Sequence, residues 1–543
     1  MLFNSSEFVV FILVFCGLYF PLKRRFRAQN LLIVAGSYLF YGWWDVRFLQ
    51  LILISTALDF ISALMIERGV VSAKLRSIAS GFVITGAVLL IGVDWSGGIA
   101  DPRIFVDAQS AWIVAICVAV VAVANVVYFP IRGMSEARRR KLCLWISVVG
   151  NLGILATFKY FDFFASSLSG MVQSALGTTP SDWTLGFVLP VGISFYTFQT
   201  MSYAIDVYRG KTKANDRFVD VAAYVAFFPQ LVAGPIERAS QLLPQFAAER
   251  PGLDLHRFRR GMWLITWGLF KKLVVADNMA VIVNATFGPY DDGNFALPPD
   301  GLTLLVALYA FAFQIYGDFS GYTDIARGIA KLLGFDLMRN FDLPYFATSP
   351  SDFWKRWHIS LSSWLRDYLY IPLGGNKGGP WATYRNLTVT MLLGGLWHGA
   401  AWNFVIWGAY HGVLLSIYRA LGIRTEAGSY PRVVVLLLGI LMFHLTCIGW
   451  LLFRAQNVGT IVAFLEGIVL HPVASEQTWI DLLQVMKYCW FLVLFQVAQA
   501  ITRTQDPLRR WPWFVRLNIW IFVFMSLFAL SAGGGQEFIY FAF

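Results

Sequence analysis

An imidazole stands within the apolar run Leu393-Gly394-Gly395-Leu396-Trp397-His398-Gly399-Ala400-Ala401-Trp402-Asn403. Lipid-compatible sequence penalises an ionisable side chain, so one found there marks a site by default. Histidine is the usual general base and titrates near neutral pH, so the chemistry it brings is proton transfer. From Asn386 to Tyr418 there is no Pro, Lys, Arg, Asp or Glu. That length is too great for one ordinary span and too short for two, and the break is expected at Gly394, Gly395 and Gly399. His398 follows Arg385 by about 12 residues, about 18 Å of helix, which is near the middle of a hydrocarbon core about 30 Å thick.

A second histidine lies in Ser349-Pro350-Ser351-Asp352-Phe353-Trp354-Lys355-Arg356-Trp357-His358-Ile359-Ser360, which continues to Tyr368. Ser349 as N-cap, Pro350 at the first helical position and Asp352 at the third predict a helix start. Phe353, Trp357, Leu361, Trp364 and Tyr368 then fall within about 40° of one line at helical spacing, with Lys355 and Arg366 pointing away. One amphipathic helix at the membrane interface is expected, with His358 on the boundary between its apolar and basic faces. Lys355, Arg356 and Arg366 would suit the phosphates of a thioester carrier, although a cytoplasmic basic face explains them equally well. His411 and His444 read as structural. Asp318 and Asp324, within Gln314 to Asp324, suggest acid/base work or a cation site. The plainer expectation is a helix terminus with capping Asp and Ser turning into the interface.

The elements that hold these residues must be membrane helices. Of 543 residues, 57% are hydrophobic and 14% charged, against about 25% charged in soluble domains. At roughly 20 residues per span, about eleven to thirteen spanning or half-spanning segments are expected. The fold class is all-α, a multipass helical bundle with an interfacial amphipathic helix. Basic residues collect in alternate loops, at Lys23 to Arg27, at Arg68 to Arg76, at Arg132 to Lys141 and at Arg209 to Arg217. The intervening loops are neutral or acidic, with Asp45 and Arg47, then Asp94, Asp101, Arg103 and Asp107, then Asp182. Positive charge marks the cytoplasmic side, which places the N-terminus outside. The net charge of +11 is thus a topology signal that also attracts anionic lipid headgroups, and no nucleic-acid motif accompanies it. The five cysteines are scattered and form no metal cluster or disulfide framework.

Beyond residue 217 the apolar stretches shorten, and Phe227 to Arg238 is too broken for a plain span. Irregular backbone at membrane depth persists only when it is buried in protein or lines a cavity. Three parts follow: N-terminal transmembrane helices over 1–217, a core with re-entrant segments over 218–420, and C-terminal helices over 421–543. The last part includes apolar stretches at Ile461 to Leu470, Tyr488 to Ile501 and Leu517 to Leu530.

Several ordered stretches resemble the membrane-bound O-acyltransferases, in the branch that acetylates alginate. They are Ser194 to Gln199 with Tyr203 to Gly210, Pro229 to Arg238, Tyr316 to Asp324, Asn340 to Gly375, Trp397-His398-Gly399 and the ending Phe538 to Phe543. The resemblance implies that His398 is essential for acyl transfer, that His358 is a second family histidine, and that a re-entrant core surrounds a tunnel across the bilayer. It also implies acetyl-CoA as donor substrate with no bound cofactor, in the inner (cytoplasmic) membrane. An extracytoplasmic hydrolase-like partner would complete transfer to an exopolysaccharide.

The chemistry agrees, because acylating a hydroxyl requires removing a proton from a weak nucleophile. A general base supplies about 10²- to 10⁴-fold, and donors near the acyl oxygen must supply the rest. Trp397, Trp402 and Asn403 are near His398 in sequence. Histidine acting instead as a covalent acyl relay stays open. Two other readings remain: D-alanyl transfer to teichoic acid from a carrier-protein thioester, and a secondary transporter or polysaccharide exporter. Transporters carry their broken helices in two repeated halves, whereas the interruptions here cluster between residues 227 and 412.

Overall fold

A computed structural model describes residues 1–94, 103–104, 107–177, 183–294, 300–423, 430–504, 506–532 and 538–539. Asp101, Asp182 and the final residues 540–543 lie outside the described residues. The chain is helical almost throughout, and the described strands are a two-residue antiparallel pair, Val93–Asp94 with Arg103–Ile104. Among the described residues, seven helices are long and apolar enough to cross a membrane: Val46–Glu67, Ala73–Leu90, Ala108–Arg132, Glu136–Leu176, Gly301–Leu332, Arg432–Arg454 and Glu476–Thr502. Three shorter apolar helices, Ser6–Leu22, Val458–Leu470 and Trp513–Ala529, accompany them. The eleven to thirteen expected segments include half-spanning ones, which these seven long helices do not count.

Two compact units form. The first comprises Met1–Arg257 with Ala330–Leu337, and the second Phe258–Ile329 with Met338–Phe543.

In the first unit, helices α1 (Leu49–Glu67), α2 (Glu136–Leu155) and α3 (Ile193–Tyr208) are tied by a buried polar network. Asn151 Nδ2 donates to Asp59 Oδ2 (2.8 Å) and Ser147 donates to Asp59 Oδ1. Ser55 Oγ donates to Asn151 Oδ1 (2.6 Å) and lies 3.0 Å from Thr200 Oγ1. Polar groups removed from water are costly unless paired, so three otherwise apolar helices are fixed in one register. Helix α4 (Phe218–Ala226) ends at Phe227, and every residue of the broken segment to Arg238 is buried. Its turn is held by Gln230 N–H to Phe227 O (3.0 Å) and Gly234 N–H to Gln230 O (2.9 Å). Irregular backbone is here enclosed by protein, as its composition predicts.

The second unit is organised by helix α5 (Gly301–Leu332). Tyr316 to Asp324, expected to end a helix, instead runs through its middle. Gly317 and Gly321 lie where α5 meets the π-helical turn Phe270–Ala276 and the residues before it. A Cβ on Gly317 would sit 2.8 Å from Lys271 O, and one on Gly321 would sit 2.8 Å from Gly268 O. The glycines therefore serve close helix packing, and the carboxylates serve charge pairing. Lys272 Nζ lies 2.7 Å from Asp318 and 2.9 Å from Asp277, and Lys271 Nζ lies 2.7 Å from Asp324. All five side chains are buried or nearly so. A Lys-Lys pair inside an apolar run was the sequence signal for this cluster, and reading the carboxylates as caps hid it. Breaking a buried pair costs about 3–5 kcal/mol. Lys272→Met is therefore expected to lower the melting temperature in detergent sharply, and adding Asp318→Asn to recover part of the loss.

Candidate active site

Ser349 Oγ accepts from Asp352 N–H (3.1 Å) and Pro350 opens helix α6 (Pro350–Arg356), as the sequence predicts. The single interfacial helix does not form. Trp357 is extended (φ −100°, ψ 131°), and His358 takes the left-handed conformation (φ 43°, ψ 54°) before helix α7 (Ile359–Leu365) begins. A non-glycine residue held there costs of order 1–3 kcal/mol and persists only when its surroundings determine it. Asn340 supplies that determination. Its backbone oxygen accepts from Ile359 N–H (2.9 Å), and its Oδ1 accepts from Ser360 N–H (3.1 Å) and Ser360 Oγ (2.9 Å). Asp342 N–H donates to Arg356 O (2.9 Å), closing the end of α6.

The apolar stripe survives the break, since Phe353, Trp357, Leu361 and Trp364 are all buried. His358 is not a boundary residue: its exposure is 0%. Turning the backbone left-handed carries the side chain into the protein. There burial pushes its pKa down to about 3, because a charged imidazole loses its hydration.

His398 is the last residue of helix α8 (Pro380–His398), and the chain returns as α9 (Trp402–Ala420). The expected break thus falls at Gly399–Ala401. Gly395 and Gly408 permit backbone contact within this hairpin, where added Cβ atoms would collide with Phe404 O and Met391 O. A Cβ at Gly394 would meet only Leu365 Cδ1, at 3.1 Å. Gly395→Ala is therefore expected to cost about 1–3 kcal/mol by overpacking and Gly394→Ala clearly less, read as melting temperatures of the purified variants.

The two histidines converge. Their ring centroids are 6.3 Å apart, and both are buried. Trp397 packs on both, at 5.7 Å from His358 and 5.0 Å from His398. Phe319 of α5 covers His358 (4.7 Å), while Trp407 (5.1 Å) and Phe453 (5.4 Å) cover His398. Four segments remote in sequence therefore enclose an imidazole pair in an aromatic box.

Other expected site residues stand elsewhere. Asn403 Nδ2 donates to Phe453 O (3.3 Å) and Ala455 O (3.2 Å). It caps helix α10 (Arg432–Arg454), so it steadies the wall behind His398 and is committed to backbone. Arg356 Nε donates to Asp352 (2.8 Å) and its Nη1 to Asp342 O (3.4 Å), which makes it a staple of the α6 joint. Lys355 is exposed. His411 is buried against Trp407 (4.8 Å) and Trp354 (5.1 Å). His444 has both ring nitrogens engaged, with Tyr309 OH (2.8 Å) and Ile440 O (2.8 Å). Among the described residues no group of His, Cys, Asp and Glu side chains has metal-binding geometry. Asn340 was legible only as the start of a resembling stretch, because nothing local ties it to a histidine 18 positions on.

A profile of the membrane-bound O-acyltransferase family matches residues 213–427, which contain both histidines. The probable alginate O-acetylase of Pseudomonas aeruginosa is 39% identical over 84% of this chain and 73% of its own length. The chain is a membrane-bound O-acyltransferase. The peptidoglycan O-acetyltransferase of Helicobacter pylori is 36% identical over 61% of this chain and 65% of its own. The teichoic acid D-alanyltransferase of Bacillus subtilis is 26% identical over 49% and 69%. As a member of that family the chain is a multipass membrane enzyme that transfers acyl groups to oxygen.

Proposed function

We propose that this O-acyltransferase takes acetyl groups from acetyl-CoA in the cytoplasm and passes them across the inner membrane. There an extracytoplasmic hydrolase-like partner completes O-acetylation of a polysaccharide such as alginate. The observation that carries the reading is the buried His358–His398 pair, 6.3 Å apart, in a chain 39% identical to a probable alginate O-acetylase over 84% of its length.

In this scheme His398 is the general base. It removes the proton from the attacking hydroxyl as oxygen bonds to the thioester carbonyl, and it returns that proton to the departing thiolate when the carbon–sulfur bond breaks. His358, kept neutral by burial, is the second imidazole lining the reaction volume and presents a nitrogen lone pair to it. The aromatic walls exclude water, which would otherwise hydrolyse the thioester. Trp397, packed against both rings, helps to fix their separation. Lys355, exposed beside the joint, meets the donor's phosphates as a point charge.

The test is donor consumption by the purified enzyme in vesicles. Radiolabelled acetyl-CoA is offered against a D-alanyl carrier-protein thioester, each with a soluble hydroxyl acceptor. Turnover of acetyl-CoA alone is expected. Turnover of the carrier thioester alone would replace the acetyl reading with D-alanyl transfer. Lys355→Ala is expected to raise KM for acetyl-CoA several-fold with kcat unchanged, since an exposed charge contributes little beyond encounter and binding.

A further inference from the structure

We propose that Asn340 is a positioning residue that fixes the tautomer of His358, holding the proton on Nδ1 and leaving Nε2 as the nitrogen that accepts. The inference deepens the function proposed above and rests on His358 being part of the reacting pair.

A backbone group settles the orientation of the Asn340 amide. A peptide nitrogen can only donate, so the Asn340 atom 3.1 Å from Ser360 N is the carbonyl oxygen Oδ1. His358 Nδ1 lies 3.2 Å from the same oxygen. An amide oxygen accepts and never donates. The hydrogen between them must therefore belong to the imidazole, and a neutral imidazole with Nδ1 protonated keeps its lone pair on Nε2. In the opposite tautomer, the Nδ1 lone pair would face the carbonyl lone pairs. Its available donor would be Ser360 Oγ, at 3.4 Å, and that hydroxyl already donates to Oδ1 at 2.9 Å.

Two further observations agree. Asn340 is fully buried, and its Nδ2 has no hydrogen-bond partner among the described residues. The residue is thus used for its oxygens. The same side chain and backbone also pin the left-handed joint, so tautomer and ring direction are set by one residue. The groups packed on the His358 ring include Phe319 of α5, Trp397 and His398 of α8, and Asn340 and Ser360. Of these, His398 is the other ionisable side chain. No carboxylate faces the ring among these contacts, so an introduced one should be felt strongly.

Three variants and one spectrum test this. Asn340→Ala is expected to lower kcat about tenfold to a hundredfold with KM little changed, a partial loss of general acid–base assistance. Asn340→Asp keeps an acceptor at the same place and adds a charge that favours the imidazolium. It is expected to retain more activity than the alanine variant and to move the acid limb of the pH–rate profile upward by a unit or more. Ser360→Ala is expected to lower kcat less than Asn340→Ala. The tautomer itself is read without turnover, from nitrogen NMR of enzyme labelled at its six histidines. The signal lost in His358→Asn is expected to show a protonated Nδ1.

A protonated Nε2 in that signal would overturn the proposal. So would a folded Asn340→Ala enzyme with wild-type kcat, or an Asn340→Asp profile that superimposes on the wild type. If His358→Asn itself retained wild-type turnover, the role given to His358 would fall while the spectrum still decided the tautomer.

Discussion

His398→Ala is expected to lower the rate of acyl transfer by about 10²- to 10⁴-fold, the span that general-base assistance supplies. The side chain is buried at the end of α8 between Trp407 and Phe453, so truncation also opens a cavity and some stability is lost. His398→Gln separates the two effects because it fills most of the volume yet cannot serve as a base. Both variants are expected to insert and purify, with the glutamine enzyme melting close to wild type and equally slow. Turnover of labelled thioester and thermal melting in detergent give the two numbers. A folded glutamine variant working at the wild-type rate would remove His398 from the chemistry.

His358→Asn carries the second large effect, a fall of about tenfold to a hundredfold in kcat. Asparagine is chosen because it tolerates the left-handed backbone that His358 adopts, so the α6–α7 joint is retained while the imidazole is removed. The same substitution has a signature in stability against pH. Burial depresses the folded pKa to about 3, from an ordinary value of 6.5. Between those values the unfolded chain binds a proton that the folded enzyme refuses. The stabilisation is therefore fully present above about pH 6.5 and is lost as pH falls toward about 3. Melting temperature should decline over that window in the wild type and decline less steeply in His358→Asn. Equal slopes would mean that His358 is not held neutral by burial.

Much of the architecture was legible because membrane solvation writes itself into sequence. The C-terminal helices Val458–Leu470 and Trp513–Ala529 follow the apolar runs closely, since length and hydrophobicity suffice to specify a segment facing lipid. The start of α6 was equally readable, because an N-cap acts over three residues. Where the reading failed, the deciding partner was distant. Asp318 and Asp324 resemble capping residues until Lys272 and Lys271, about fifty positions earlier, are seen to pair with them. Asn403 stands near His398 in sequence, and its bonds to the distant end of α10 are visible only in the structure.

The sequence by itself determined a multipass helical membrane protein, its family, and the two histidines worth examining. Those follow from residue type, local spacing and burial energetics, all of which act along the chain. Only the tertiary structure decided that His358 is a buried left-handed residue, that it lies 6.3 Å from His398, and that Asn340 holds it there. A helical periodicity extended through residues 349–368 cannot anticipate that a carbonyl from outside the helix will satisfy the backbone more favourably than the helix itself. Long-range hydrogen bonds to buried groups outweigh local propensity here, and they position the His358 imidazole.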